Sequence, residues 1–204
     1  MKLLRLYEKL LNEYGTQNWW PARTRAEMIA GAILTQNTAW KNVERAITNL
    51  HRNGALNLGT LYKIPVPELA EWIRPAGYFN QKAGCLKNFA SLLHENYTGK
   101  LDRLFKLGTD ELRAVLLAVK GIGKETADCI LLYAAKRPVF VVDAYTRRFL
   151  AAHGFEAESK LPYDAVAGTF TAQLPEDVQL FNEYHALIVR WGKFHSNHKD
   201  SQSC

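Results

Sequence analysis

Apolar residues recur three and four positions apart almost from end to end, and this periodicity constrains the fold more than any other feature of the chain. Leu3, Leu4, Tyr7, Leu10, Leu11 and Tyr14 form the first such stripe, the pattern of an amphipathic helix. Asn18-Trp19-Trp20-Pro21 interrupts it. Thr24-Arg25-Ala26-Glu27 has the spacing of a capping box and opens a second helix to about Leu34. Ala39 to Leu50 reads as a third, ended by Asn53-Gly54. Pro67 in a first turn predicts a short helix over Glu68 to Arg74. Helical spacing returns over 81–95, 110–119, 124–134, 144–152, 164–173 and 176–191. Pro138 to Val142 is apolar but flanked by helices, so it is read as a buried connector. The tail from Lys193 to Cys204 is polar and reads as loose. No alternating strand pattern and no internal repeat is found. The expectation is an all-α protein of about ten helices. A break near Pro138 divides it into two helical lobes, residues 24–136 and residues 1–23 with 137–204, the first helix packing back on the last.

Composition narrows the function. Lys and Arg number 26 against 20 Asp and Glu, a net charge of +6, which favours anionic partners such as nucleic acid. No apolar run approaches the ~18 to 20 residues of a membrane helix. Arg5, Glu8 and Lys9 interrupt the start, so no signal peptide is expected. Cys85, Cys129 and Cys204 are few and widely spaced, which argues for a reducing compartment and against zinc spacing.

The most informative segment runs from Leu117 to Tyr133. Two helical patterns flank Gly121-Ile122-Gly123. Glycine permits positive φ and close approach of backbone to a ligand. A helix beginning there turns unpaired N–H groups toward whatever fills the turn, and Lys120 and Lys124 add charge. A DNA phosphate fits; so does an ordinary tight connection between two helices. Ten residues after Tyr133, Asp143 ends an apolar run and begins another helix. Asp is among the best N-caps, and a carboxylate at the end of an apolar run can also face a reacting centre. One residue can do both.

Taken together, Val119 to Asp128 followed by Val141-Val142-Asp143 resembles the helix–hairpin–helix–Gly/Pro–Asp signature of the endonuclease III superfamily of DNA glycosylases. Further segments resemble that family over nearly the whole chain: Gly31 to Thr38 its early helix and Gln-containing turn, Ile73 to Ala83 its Gly-Tyr-x-x-x-Lys-Ala segment, and Tyr184 to Lys193 its last helix. The resemblance implies an active site in the cleft between two lobes, with Asp143 catalytic. Gln36, Lys120, Gly121, Gly123, Lys124 and Thr126 would contact DNA. The carbonyls of Leu117, Val119 and Ile122 would be able to hold sodium or potassium, with no metal bound by side chains.

Family members that also cleave the strand carry a lysine nucleophile early in the second hairpin helix. Here that position is Glu125, and Lys124 beside it is rotated by about 100°. The expectation is a monofunctional enzyme. Many relatives hold an iron–sulfur cluster through C-x6-C-x2-C-x5-C after the last helix. This chain has only Cys204 there, with His195 and His198 read as solvated, so no cluster and no other cofactor is expected.

Trp19-Trp20-Pro21, the Gln36-Asn37-Thr38-Ala39-Trp40 turn, the hairpin and the cluster-free tail resemble the 3-methyladenine DNA glycosylase III group of the superfamily. That likeness implies a pocket in which Trp19 and Trp40 sandwich an alkylated base, the second position commonly being Phe in the group. Trp20, Pro21, Glu125, Lys193 and Lys199 complete it, and one such tail lysine is carbamylated within the group. The chemistry is coherent. A base must be flipped from the stack to be excised. An N-alkylated purine is cationic, and indole faces attract cations. Such a base leaves readily, so aromatics and one carboxylate suffice. The expected function is excision of alkylated purines, chiefly 3-methyladenine, from double-stranded DNA in base excision repair. The enzyme would be a monomer in the cytoplasm, or on the nucleoid in a bacterium. Uracil, mismatched thymine and oxidised bases remain alternative substrates within the superfamily. A non-catalytic helix–hairpin–helix DNA-binding module remains the alternative outside it.

Overall fold

The computed structural model describes residues 2–199, with side chains up to His195. Its α-helices are α1 (Lys2–Tyr14), α2 (Arg25–Leu34), α3 (Trp40–Arg52), α4 (Leu58–Lys63), α5 (Val66–Trp72), α6 (Phe79–Tyr97) and α7 (Leu101–Leu104). They continue as α8 (Thr109–Ala118), α9 (Lys124–Cys129), α10 (Ala144–Ala152), α11 (Glu156–Ser159), α12 (Tyr163–Thr171) and α13 (Val178–Lys199). No strand occurs among the described residues, and none of their helices is long and apolar enough to cross a membrane. The chain forms two compact units: residues 22–135, and the first 21 residues together with everything from 136 on.

The middle unit is built around α2. Every residue from Glu27 to Leu34 is buried, because the run Met28-Ile-Ala-Gly-Ala-Ile-Leu34 is apolar on all sides and must be surrounded. Its start is capped as the spacing predicts: Thr24 Oγ1 accepts from Glu27 N at 3.1 Å. The return half of the box falls one residue earlier, with Arg23 N donating to Glu27 Oε2 at 3.2 Å. The end of α2 is tied by Lys82 on α6. Its buried ammonium donates to the carbonyls of Leu34 (2.9 Å) and Ala76 (2.7 Å), a cation placed where a helix dipole favours one. Burial lowers the Lys82 pKa. Lys87 likewise closes the end of α4 by donating to the carbonyls of Leu61, Tyr62 and Ile64.

Two expectations are corrected in this unit. The helices α4 and α7 were not anticipated, because six and four residues are too few to display a period. The helix expected over 124–134 keeps α-geometry only to Cys129; its last turn widens over Ile130–Ala134, with Ala135 N donating to Ile130 O at 2.9 Å.

The terminal unit collects an aromatic core. Phe140 stacks on Phe170 with ring centroids 3.8 Å apart, and Phe181 and Tyr184 meet the Phe140 ring edge-on. Each is essentially without exposure, and burying such a side chain contributes ~1.5–3 kcal/mol. Phe140, Val141 and Val142 are buried and form no strand, while Pro138 and Val139 are half-buried, so the expected buried connector is buried only in its second part. The first helix packs on the last: Tyr184 Oη donates to Leu3 O at 3.0 Å, and the Tyr7 and Tyr184 rings lie 5.3 Å apart. Two further corrections belong here. The short α11 was not anticipated, and the tail read as loose continues α13 as far as Lys199. Cys204 lies outside the described residues, as does the side chain of Lys199.

Candidate active site

The hairpin occupies 119–123. Ile122 N donates to Val119 O at 3.0 Å to close the turn, and Gly121 has a φ of +101°, a backbone state only glycine adopts without strain. A Cβ at Gly121 would lie 2.8 Å from Cys85 Cβ and 3.0 Å from its sulfur. Glycine is therefore required twice, by conformation and by contact. Gly123 caps α9, and Ala127 N donates back to Gly123 O at 2.9 Å.

Side chains outside the hairpin hold its carbonyls. Gln36 Nε2 donates to Gly121 O and to Thr126 Oγ1, both at 3.2 Å, and Asn88 Nδ2 donates to Lys120 O at 3.0 Å. Beneath, Arg113 of α8 and Asp128 of α9 form a two-pronged ion pair at 2.6 and 3.1 Å. Planar guanidinium matches carboxylate in this way, and the pair fixes the two hairpin helices against each other. Lys120, Lys124 and Glu125 stand exposed around the turn.

Of the carbonyls considered for a monovalent cation, Val119 O is already an acceptor for Ile122 N, so an ion would draw on its second lone pair. Among the described residues no three His, Cys, Asp or Glu side chains converge as metal ligands. Cys85 and Cys129 are free thiols, and burial pushes the Cys85 pKa up to about 11.

Near the hairpin, Tyr78 precedes α6 with φ +45° and is 66 % exposed. It lines a cavity of about 200 Å³ with Gln36, Asn37, Gln81, Lys82 and Gly121. Sequence reading placed no role on Tyr78. The signal was available in the glycine before it, which marks a turn that presents its neighbour.

The carboxylate sits in the terminal unit. Asp143 caps α10: its Oδ1 accepts from Thr146 N at 2.7 Å and from Thr146 Oγ1 at 2.9 Å, while its own N–H donates to Thr146 Oγ1 at 3.3 Å. The second oxygen, Oδ2, is 3.6 Å from Nε2 of His185 on α13. Burial pushes the Asp143 pKa up. The contacts with His185 and Thr146 together outweigh burial and leave it below the ordinary carboxylate value. The group is therefore an anion at neutral pH, although its side chain is only 15 % exposed. The Asp-x-x-Thr spacing was a visible capping signal; His185, 42 residues away, left none.

The aromatic and tail residues are placed as follows. Trp19 and Trp20 are half-buried, their peptide is cis, and their rings lie 5.0 Å apart at 52°. Gln17, two residues before, donates its N–H to Glu183 of α13 and its side-chain amide to the carbonyls of Tyr14 and Gly15. Pro21 and Lys193 are exposed. Tyr145 packs against Gly192, where an added Cβ would come within 2.2 Å of its ring, and the Arg148 guanidinium lies 4.5 Å from the ring centroid. Trp40 opens α3 in the middle unit, half-buried. Thus the structure joins Gln36, Gly121 and Thr126 directly, and gives Asp143 its own pair of supports. The Thr126 side chain, expected at the DNA, is buried, and its hydroxyl is committed to Gln36.

Comparison with known proteins agrees with this architecture. The family model of HhH-GPD superfamily base excision DNA repair proteins matches residues 30–167. A protein of Methanocaldococcus jannaschii carrying the name of a DNA repair glycosylase is 50 % identical over 189 residues, 92 % of this chain and 85 % of that one. An endonuclease III of Sulfolobus acidocaldarius is 29 % identical over 81 % of this chain and 71 % of its own. Among solved structures, the H. pylori 3-methyladenine DNA glycosylase bound to 1,N6-ethenoadenine superposes with a TM-score of 0.77 at 29 % identity. The match covers 95 % of this chain and 96 % of that one. A trapped endonuclease III–DNA covalent intermediate has the same TM-score at 17 % identity and shares the fold. The glycine hairpin at 119–123, followed at this spacing by the largely buried carboxylate of Asp143, belongs with these matches: the chain is a member of the HhH-GPD superfamily of base excision DNA repair proteins, a DNA glycosylase.

Proposed function

We propose that the chain is a monofunctional glycosylase that removes N-alkylated purines, chiefly 3-methyladenine, from double-stranded DNA. The observation that carries this reading is the Asp143 carboxylate, kept ionised in a nearly buried setting by Thr146 and His185. Such an anion, fixed before the reaction, stabilises positive charge as it develops on the deoxyribose. In the step envisaged, the N-glycosidic bond breaks and its electron pair leaves with the base. A cationic alkylpurine thereby departs neutral. Water adds to the sugar carbon and gives up a proton, which Asp143 is placed to accept.

The substrate class rests on Trp19, Trp20, Pro21 and Trp40, with Glu125, Lys193 and Lys199, as a pocket of indole faces and charge that suits a cationic base. The name of the H. pylori protein supports it. In this reading Lys120, Gly121, Gly123 and Lys124 meet the DNA backbone, a sequence-tolerant and salt-dependent contact. A sodium or potassium ion at the Leu117, Val119 and Ile122 carbonyls would add to that contact. Gln36 and the exposed Tyr78 beside it stand near the gap left by the flipped base, where an aromatic side chain can stack; Thr126 acts through Gln36. Glu125 at the position of the lyase lysine supports a monofunctional enzyme, and no cofactor takes part in this reading. We place it in the cytoplasm as a monomer.

The test is release of free base from methylated duplex DNA, followed chromatographically. Wild-type protein releases 3-methyladenine and leaves the strand intact until alkali is added. Asp143→Asn binds the same DNA and loses ~10²-fold or more in rate. Borohydride traps no protein–DNA adduct with wild type and traps one with Glu125→Lys. Release of uracil, thymine or an oxidised base in place of alkylpurines would reject the substrate, and excision by Asp143→Asn would reject the mechanism.

A further inference from the structure

The support of Asp143 is asymmetric, and this assigns a role to a residue that family resemblance did not single out. Oδ1 is committed to two donors of Thr146, which are neutral and lie on the same helix. Oδ2 is the oxygen left for the reaction, and the group facing it is the imidazole Nε2 of His185, 3.6 Å away on a different helix. His185 is itself 6 % exposed. A buried imidazole 3.6 Å from an oxygen of a largely buried carboxylate is not explained by packing, since an apolar side chain of that size would fill the same space without desolvating a polar group.

We propose that His185 is a positioning residue for Asp143: from α13 its buried imidazole stands against Oδ2 and fixes the carboxylate for the excision step. The inference rests on the reading of Asp143 as the catalytic carboxylate. Other charged and titratable groups packed around the pair have their own engagements. Arg147 donates to the carbonyls of Ser159 and Leu161, and Arg148 lies over Tyr145. Tyr163 Oη accepts from Val142 N, Tyr184 Oη donates to Leu3 O, and Glu183 accepts from Gln17 N. On α11, packed against α10, Glu156 pairs with Lys160 in solvent. Removing His185 therefore leaves burial opposed by Thr146 alone.

The experiment compares wild type, His185→Leu and His185→Gln. The Asp143 carboxyl is titrated by 13C NMR of labelled aspartate, its resonance identified by its loss in Asp143→Asn. Single-turnover excision of methylated DNA is measured from acid to neutral pH on the same proteins. With melting temperature and DNA affinity close to wild type, His185→Leu should raise the Asp143 midpoint by ~1–3 pH units and move the acid limb of the rate profile by the same amount. His185→Gln, which keeps a polar side chain facing the carboxylate, should shift both by less. An unchanged midpoint in both variants overturns the proposal, as does a loss of rate with an unmoved acid limb. If His185→Leu does not fold, the Gln variant decides by the same two readouts. The NMR midpoint needs no substrate, so the two readings fail separately: retained excision by Asp143→Asn sinks the catalytic assignment, whereas an unmoved midpoint sinks only the role of His185.

Discussion

Replacing Gly121 by alanine tests whether the hairpin is held in shape by contact as well as by conformation. The backbone there has φ +101°, and a left-handed state costs a residue with a Cβ ~1–2 kcal/mol. The new methyl would stand 2.8 Å from Cys85 Cβ, 3.0 Å from its sulfur and 3.6 Å from its Cα. Overpacking of this kind costs ~1–3 kcal/mol. Against these, alanine restricts the unfolded chain and returns ~0.4–1 kcal/mol. The net loss is about 1–4.5 kcal/mol, a large part of the ~5–15 kcal/mol that holds a domain together. The two causes separate in a Cys85→Gly background. That change removes the facing Cβ and sulfur but leaves φ as it was, so Gly121→Ala should then cost only about 0–1.5 kcal/mol. Urea unfolding of the four proteins in this cycle measures the coupling, expected at ~1–3 kcal/mol. Equal costs of Gly121→Ala in the two backgrounds, within ~0.5 kcal/mol, would refute the contact argument and leave conformation as the only reason for glycine. Because Gly121 O accepts from Gln36, the same substitution should weaken DNA binding.

Two further outcomes follow from the same structure. Arg113→Met leaves Asp128 buried and uncompensated, and should cost ~3–5 kcal/mol in urea unfolding, nearer the lower figure because Arg113 is 25 % exposed; Arg113→Met with Asp128→Leu should recover most of that loss, and failure to recover would show that the pair acts by more than mutual compensation. Asp143 has its pKa lowered in the folded state, so it contributes stability above the ordinary carboxylate value of ~3.9 and loses it as pH falls through the lower folded value. The gap in urea midpoint between wild type and Asp143→Asn should hold from neutral pH to about pH 5 and shrink below about pH 4, whereas a gap that widens on acidification would show that burial prevails over the partners.

What was legible in the sequence, and what was not, divides along physical lines. A helix of nine or more residues shows its stripe, and α3 and α10 were readable for that reason. A helix of four to six residues completes one turn or little more, so α4, α7 and α11 carried no period to detect. The hairpin was legible because glycine leaves a mark where backbone must do something unusual. Asp143 was legible because a helix start selects its side chain for reasons independent of catalysis. Lys82 and Lys87 were the opposite case. Lysine in a sequence reads as surface, and only the placement of the Leu34 and Ala76 carbonyls, or of those ending α4, makes a buried ammonium tolerable. Asn88 and His185 depend on partners 32 and 42 residues away, and periodicity carries no information at that range.

Helix α13 shows how such long-range dependence organises the terminal unit. Its residues advance by about 100° each, so His185 and Gly192, seven apart, share one face, while Glu183 lies on nearly the opposite side from His185. The first face receives α10: His185 meets the carboxylate at its N-cap, and Gly192 seats the ring of Tyr145 two residues on. The other side takes the N–H of Gln17 through Glu183 and so fixes the strand of chain that leads into Trp19 and Trp20. One helix therefore contacts both the carboxylate and the segment that leads to the tryptophan pair. Neither element could set the other, since a helix start and a loop have no common hydrogen-bond ladder. Rigid elements locate the groups they carry more closely than loops do. The polar residues of α13 thus tie together the carboxylate and the segment that leads to the tryptophan pair.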